Sequence, residues 1–405
     1  MTYTSRFQSI RHLAAAAAVV VLATACEMTV TNPGPIQDDA LNVPSAVPAI
    51  VNGMSGDLSL ALGGIATRTG LASGELTHSG NYADEGFFFA GTFSGLNANT
   101  DWANAQRARW TSESGLERMK TVLGSSFESN ADTPRAYLYA GFANRLLGEN
   151  FCTAVIDGGP AQSDSVYFQR ADSLFTRAYT IATALNNTTV KNAALAGRAS
   201  VRAWLGNWTT AVADAALVPN NFVFNAIYGI GTSRENMYLA EQTITRREVT
   251  VWGTYWASVR DPRFPWDTVK TGSTLTKGQD GKTIFFRQTK YLSLGPTAPL
   301  VKGAEMLVLR AEAALRSGDI AGMTAFLNTA RAQYTGLAPL TAPATTAAAW
   351  TLLQTERGAV TWLEGRRLWD MRRWNAEGTN TFLTGRNKCI PVSDNEYASN
   401  PNLHK

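Results

Sequence analysis

The chain has 405 residues, 45% of them hydrophobic and 10% aromatic, enough for one large or two ordinary domains. Its formal charge is +4, falling to +2 once residues 1–25 (two arginines, no acid) are set aside, and no basic block occurs, which argues against a nucleic-acid partner. Only His12, His78 and His404 are available, so a histidine metal site or a Ser–His triad has almost no raw material.

The N-terminus reads as a targeting segment. Arg6 and Arg11 form a basic region, and Leu13–Leu22 is an apolar run too short to span a bilayer. Leu22-Ala23-Thr24-Ala25-Cys26 resembles the lipobox of bacterial lipoproteins, which makes Cys26 the expected lipidated residue. Residues 26–45 are rich in Pro, Asn and Asp and read as a tether. Residues 46–405 are expected to be one domain. With Cys26 lipidated in an exported chain, Cys152 and Cys389 remain, and in an oxidising compartment they are expected to pair.

Small-residue periodicity predicts a helix over 46–66. Residues 67–101 are rich in Gly, Ser, Asn and aromatics and read as a long irregular loop, with a short strand at Phe87–Phe89. Loops of that length are uncommon without a task. Helix is expected again over 102–123, with Trp110 and Leu116 facing inward, and over 136–150 and 166–185. Residues 192–218 and 304–333 each read as a helical hairpin, turning at Gly206-Asn207 and Gly318-Asp319. Aligned on those glycines, small and apolar positions coincide, similar to tetratricopeptide helix pairs.

About 80 residues separate the two hairpins, far more than an ordinary connection. That stretch, 220–300, holds Trp252, Tyr255, Trp256, Phe264, Trp266, Phe285, Phe286 and Tyr291 amid Gly, Thr and Pro. It reads as loops with short strands. The fold class is therefore mainly α: a tetratricopeptide-like helix-pair scaffold carrying loop-rich aromatic excursions at 67–102 and 220–300. Loops on a rigid scaffold are where binding usually lies.

Glu356–Trp374 (ERGAVTWLEGRRLWDMRRW) is the stretch most crowded with charge and tryptophan. Read as one helix, it is apolar on two opposite faces and therefore sandwiched. Its charges then need partners, with Arg366–Asp370 and Asp370–Arg373 at helical spacing. The expected role is a lock between two parts of the domain through an Arg/carboxylate network.

Taken together, five blocks resemble the SusD/RagB family. They are the lipobox at Cys26, Arg135–Gly159, Lys290–Asp319, the Glu356–Trp374 stretch, and the tail running from Cys389-Ile390-Pro391 to Asn400-Pro401-Asn402. The chain departs from the family pattern at Val360, where a glutamate is usual. The resemblance implies a surface-exposed outer-membrane lipoprotein without catalytic activity or cofactor. Such a protein would capture a glycan or peptide and deliver it to a SusC-like TonB-dependent transporter.

Sugar binding asks for aromatic faces framed by polar side chains. The residues of that composition are Tyr82, Asp84, Asn99 and Trp102 in the first excursion, and Trp252, Tyr255, Trp256 and Trp266 in the second. For each aromatic, core packing is the competing role. Two other classes of function compete. An exported tetratricopeptide-type adaptor would need tandem repeats and few aromatic loops. An exported hydrolase would need a nucleophile–base pair or metal cluster. The neighbouring carboxylates Asp84 and Glu85 are poorly placed as a glycosidase pair, and Gly91–Gly95 (GTFSG) does not have the spacing of a nucleophile elbow.

Overall fold

The computed structural model describes residues 38–231 and 235–403. Arg6, Arg11, the apolar leader, Cys26, His12 and His404 lie outside them, as does most of the expected tether. Asp39–Leu41 forms a short 3-10 turn, and from Val43 onward the chain is one compact unit.

The first helix, α1 (Val47–Ala72), is buried along almost its whole length. Within Pro44–Ala72 an 18-residue window is apolar enough to cross a membrane by length and composition. In this fold 78% of that window is inside the protein. Its Ser59, Thr67, Thr69 and Ser73 hydroxyls donate back to carbonyls four residues earlier, so their polarity is satisfied within the helix.

Helix α2 (Ala83–Ala90) replaces the expected strand at Phe87–Phe89. Asp84 and Glu85 lie in its first turn, where the helix dipole favours them. Gly91 ends it at φ 73°. Phe88 is buried, while Phe87 and Phe89 face out. The three rings thus point in different directions, as a helical pitch of about 100° per residue requires.

The scaffold follows as α3 (Asn99–Leu123), α4 (Thr133–Asn150), α5 (Ser165–Ala184), α6 (Thr188–Trp204) and α7 (Trp208–Ala216), then α8 (Gly303–Arg316) and α9 (Ile320–Arg331). Neighbours pack in sequence, α4 on α5, α5 on α6 and α6 on α7, and α7 bridges the long excursion to reach α8. Glycine sets the closest approach. A Cβ at Gly141 of α4 or Gly197 of α6 would lie 2.7 or 2.5 Å from the Phe175 ring, so only glycine lets that ring fill the seam. Both hairpins turn where expected, with Gly206 at φ 84° and Gly318 at φ 85°.

Glu356–Trp374 is not one helix. Helix α10 (Thr346–Val360) stops, the chain turns through Thr361–Arg366, and α11 (Arg367–Ala376) begins. Leu363 and Gly365 adopt left-handed backbone at φ 55° and 69°. The ion-pair partners explain the break. Glu364 accepts from Lys290 (2.5 Å) and Lys302 (2.7 Å), whereas Arg366 reaches Glu149 and Glu305, each at 2.9 Å. A continuous helix would hold those two side chains about 200° apart at fixed height. The turn lets each reach its own partners.

The lock itself is present. Glu356 joins Arg263 (2.5 Å) and Arg331 (2.7 Å). Arg357 joins Asp370 at 2.6 Å. Arg373 donates to Glu312 Oε2 at 2.6 Å and to Asp370 at 3.0 Å. Of the two spacings expected within the stretch, Asp370–Arg373 forms an ion pair, while Arg366 turns instead to Glu149 and Glu305. Three buried ion-pair clusters, around Glu356, around Glu364 and around Arg357, Arg366 and Arg373, thus tie the C-terminal corner to α4, α8, α9 and the second excursion. Cys152 and Cys389 form a disulfide with Cα atoms 5.2 Å apart. Beside it Phe151 and Ile390 make a parallel bridge, so the tail is fixed to the end of α4.

Candidate functional site

The two excursions meet. Strand β1 (Thr77–His78) of the first pairs antiparallel with β2 (Val249–Thr250) of the second, in the register Thr77 to Thr250. Two glycines permit the close approach. A Cβ on Gly80 would fall 1.7 Å from Glu248 Oε2, and one on Gly278 would fall 2.2 Å from the Ser79 carbonyl. Buried Glu248 accepts from the N–H groups of Asn81 (2.9 Å) and Tyr82 (3.3 Å), fixing the entry to α2.

Two concavities flank this junction. The first, about 640 Å³, is lined by Arg68, Asn81, Tyr82, Asp84 and Glu85 on one side. Met237, Tyr238, Glu241, Gln242 and Arg246, on or next to a nine-residue π-helical segment (Met237–Thr245), form the other. The Arg246 guanidinium lies 4.8 Å from the Tyr82 ring centre, a cation–π distance. Arg68 donates to Asp101 at 2.7 Å. Burial pushes the Asp101 and Glu85 carboxyls up from their ordinary range, opposed by Arg68. Asp84 accepts from Asn97 Nδ2 at 2.8 Å and remains half exposed.

The second concavity, about 600 Å³, is walled by aromatic rings. Phe89, Trp252, Tyr255 and Phe382 line it together with Thr77, Thr283, Arg367 and Arg386. The four rings are 41%, 38%, 53% and 42% exposed, so each offers surface to solvent. They are held from beneath. Trp252 meets Phe286 edge-on at 5.0 Å, and Phe286 stacks on Trp266 at 4.8 Å. Tyr255 meets Trp256 edge-on at 5.2 Å, and Trp256 meets Phe264 at 5.0 Å. The Thr250 hydroxyl oxygen accepts from the Trp252 N–H at 3.1 Å and from the Phe286 N–H at 2.8 Å. A buried aromatic layer therefore presents an exposed one.

This sorts the sequence candidates. Tyr82 and Asp84 line the first concavity, and Trp252 and Tyr255 the second. Trp256, 1% exposed, is the floor of the second and has no free face. Trp266 is buried with its Nε1–H donating to the Trp256 carbonyl at 2.9 Å. Trp102 is buried beside Phe151, its Nε1–H donating to Glu396 at 3.0 Å. Trp102, Trp256 and Trp266 are thus packing residues, because their rings are used within the protein. Asn99 opens α3 and accepts from the Asn395 N–H at 3.2 Å, away from both concavities. Phe89, Arg246, Phe382 and Arg386 were missed. Phe89 could have been found by reading 83–90 as helix, whereas Phe382 and Arg386 sit in an irregular tail that carries no pattern.

Residues 220–404 match the model of the SusD family. No protein of curated function matches the sequence. Among solved structures, a SusD superfamily protein from Bacteroides vulgatus is similar at TM-score 0.66 and 16% identity, covering 89% of this chain and 98% of that one. A laminarin-binding SusD-like protein is similar at 0.64 and 12%, covering 89% and 98%. A protein from Bacteroides vulgatus described as a putative sugar-binding protein is similar at 0.63 and 14%, covering 90% and 98%. Over residues 220–404 the chain is similar to the SusD family, and its fold is the helical, tetratricopeptide-like fold of SusD-like proteins.

Proposed function

We propose that this protein is a glycan-binding lipoprotein of the outer membrane. It would be anchored through Cys26, face outward, and deliver its ligand to a SusC-like TonB-dependent transporter without catalysing a reaction. The observation that carries the binding part is the second concavity, where four partly exposed aromatic rings converge on one space of about 600 Å³. Exposed rings at that density are costly in water unless something covers them. A sugar ring suits them, because its C–H faces stack on aromatic rings while its hydroxyls reach Thr77, Thr283 and the guanidinium of Arg386. The volume lies within the usual ~300–1,000 Å³ of ligand pockets. The SusD-like relatives described as laminarin-binding or sugar-binding support the same ligand class.

The first concavity extends the site. Tyr82 and Arg246 lie across β1 and β2 from Trp252, so an oligosaccharide longer than one or two units would run over the junction of the excursions. The membrane location and the transporter rest on the resemblance to the SusD family. Recovery of the lipoprotein from outer membranes together with a large β-barrel is the expected result for that part. Recovery without one would overturn the delivery role. A glycan-array screen tests the binding part: a neutral oligosaccharide should bind, and a blank array should send attention to peptides.

A further inference from the structure

The sequence places Trp110 inward, and the structure turns it outward. It sits on α3 with 58% of its surface exposed, and among the described residues no hydrogen bond or ring contact engages it. Beside it is a groove of about 320 Å³, lined by Trp110, Arg107, Arg109, Asp157, Gly158 and the side chain of Glu396, with Gln106 and Val155 behind. The groove shares no lining residue with either concavity at the excursions.

The rim is built. Arg109 is 3% exposed and donates to Gln106 (3.0 Å), Glu113 (2.7 Å) and Asp157 (2.7 Å). Gln106 is spent in turn on the Val155 carbonyl and the Tyr167 hydroxyl. Asp157 is held in left-handed backbone at φ 48°, a conformation that Asp and Asn tolerate better than most residues. It gives one carboxylate oxygen to Arg109, and 60% of its side chain is open. Gly158 follows it, and a Cβ there would meet nothing within 4 Å, so the groove is open above the backbone. Arg107 is half exposed, with only longer contacts to Asn104 (3.3 Å) and Asp57 (3.7 Å). The groove thus presents one flat indole, one fixed acceptor and one available donor, with charges that cancel.

We propose that the Trp110 groove is a second carbohydrate-binding site, which takes one neutral pyranose unit. The inference rests on the glycan reading above for its ligand class. The indole stacks on the C–H face of the sugar, Asp157 accepts from a hydroxyl, and Arg107 donates to another. A protein anchor would be expected to bring a wider apolar surround than this rim offers. With one ring and two hydrogen bonds, the site is weak, with a dissociation constant on the order of 1 mM. Its value to the protein is avidity, since a long glycan held at both sites dissociates more slowly than from either.

The test uses the full chain labelled with 5-fluorotryptophan, followed by ¹⁹F NMR and titrated with laminarihexaose, maltohexaose and xylohexaose. Trp110→Phe and Trp252→Phe assign the two resonances. The proposal expects both to shift in a saturable way with at least one oligosaccharide. Asp157→Gly, which keeps the left-handed backbone, should weaken the Trp110 response about tenfold and leave that of Trp252 unchanged. A Trp252 resonance that moves while Trp110 stays fixed overturns the second site and leaves the first intact. If neither moves with any of the three sugars, the glycan reading falls and this site falls with it. A Trp110 resonance that responds only to an added β-barrel partner, while Trp252 responds to sugar, overturns the proposal in favour of a protein interface. Calorimetry with a longer chain of the binding sugar gives an independent readout: Trp110→Ala should lower its apparent affinity several-fold, and an unchanged affinity would overturn the second site.

Discussion

The C-terminal corner and the aromatic face of the excursions use conspicuous residues in opposite ways. At the corner, arginines, lysines and carboxylates are buried and paired, so their charge is consumed inside the protein. On the excursions, buried Phe286 and Trp256 support the rings of Trp252 and Tyr255, which stay open to solvent. Charge that is buried and paired holds a fold together, whereas apolar rings left exposed above a rigid layer are available to a ligand. Sequence already pointed to a lock at the corner and to binding on the excursions, and burial adds which of the excursion rings are open.

Arg366→Ala leaves Glu149 and Glu305 buried without that partner, and removing one member of such a cluster costs about 3–5 kcal/mol. Urea denaturation should show that loss, and any folded protein should bind ligand as before. A loss below about 1 kcal/mol would mean that the network is incidental to the fold. The disulfide is the next largest effect. It closes a separation of 237 residues, and replacing Cys152 and Cys389 by serine should cost about 2–4 kcal/mol, read by the same denaturation.

A third prediction sharpens the corner from the opposite direction. Glu75 is buried beneath it, with one carboxylate oxygen accepting the Leu363 N–H at 3.0 Å. Burial pushes its carboxyl up to about 7, with Arg367 opposing. Its folded value lies above the unfolded value of about 4.3. The folded state therefore holds the proton more tightly, and stability is lost as pH rises from roughly 4.3 through 7. Glu75→Gln should remove that loss. It should be on the order of 1–3 kcal/mol more stable than the parent at pH 8 and indistinguishable from it at pH 4. Thermal melts across that range check it, and a constant difference at all pH values would contradict it.

The smallest expected energy concerns the aromatic face. Trp252→Ala or Tyr255→Ala should each weaken glycan binding by about 0.5–1.5 kcal/mol, a factor of roughly 2–10. Stability should change little, because both rings are partly exposed.

Much of the scaffold was legible in the sequence because its signals are local. The glycines at 206 and 318 and the apolar spacing of 166–185 fix helices without knowledge of the rest of the chain. The failures have physical causes. Phe87–Phe89 looks like a strand because three aromatics in a row favour β structure, yet acids at 84 and 85 and Gly91 start and stop a helix there. Glu356–Trp374 has helical periodicity throughout, and its break is imposed by distant partners such as Glu149, Lys290 and Lys302. Trp110 matches the inward spacing of its helix but lies where no neighbour covers it. For the site, sequence supplied Tyr82, Asp84, Trp252 and Tyr255. It could not separate them from Trp102, Trp256 and Trp266, because exposure depends on which ring packs over which. Phe382 and Arg386 reach the second concavity only through the folding of the tail.

The central claim is that exposed rings on the excursions bind glycan while the charged corner serves only the fold. Isothermal titration of the full chain and of the Trp252→Ala/Tyr255→Ala double variant, with an oligosaccharide selected on the array, tests it most directly. A loss of affinity of roughly 4- to 100-fold with an unchanged melting temperature is the predicted result. Equal affinity in the two proteins would contradict the claim.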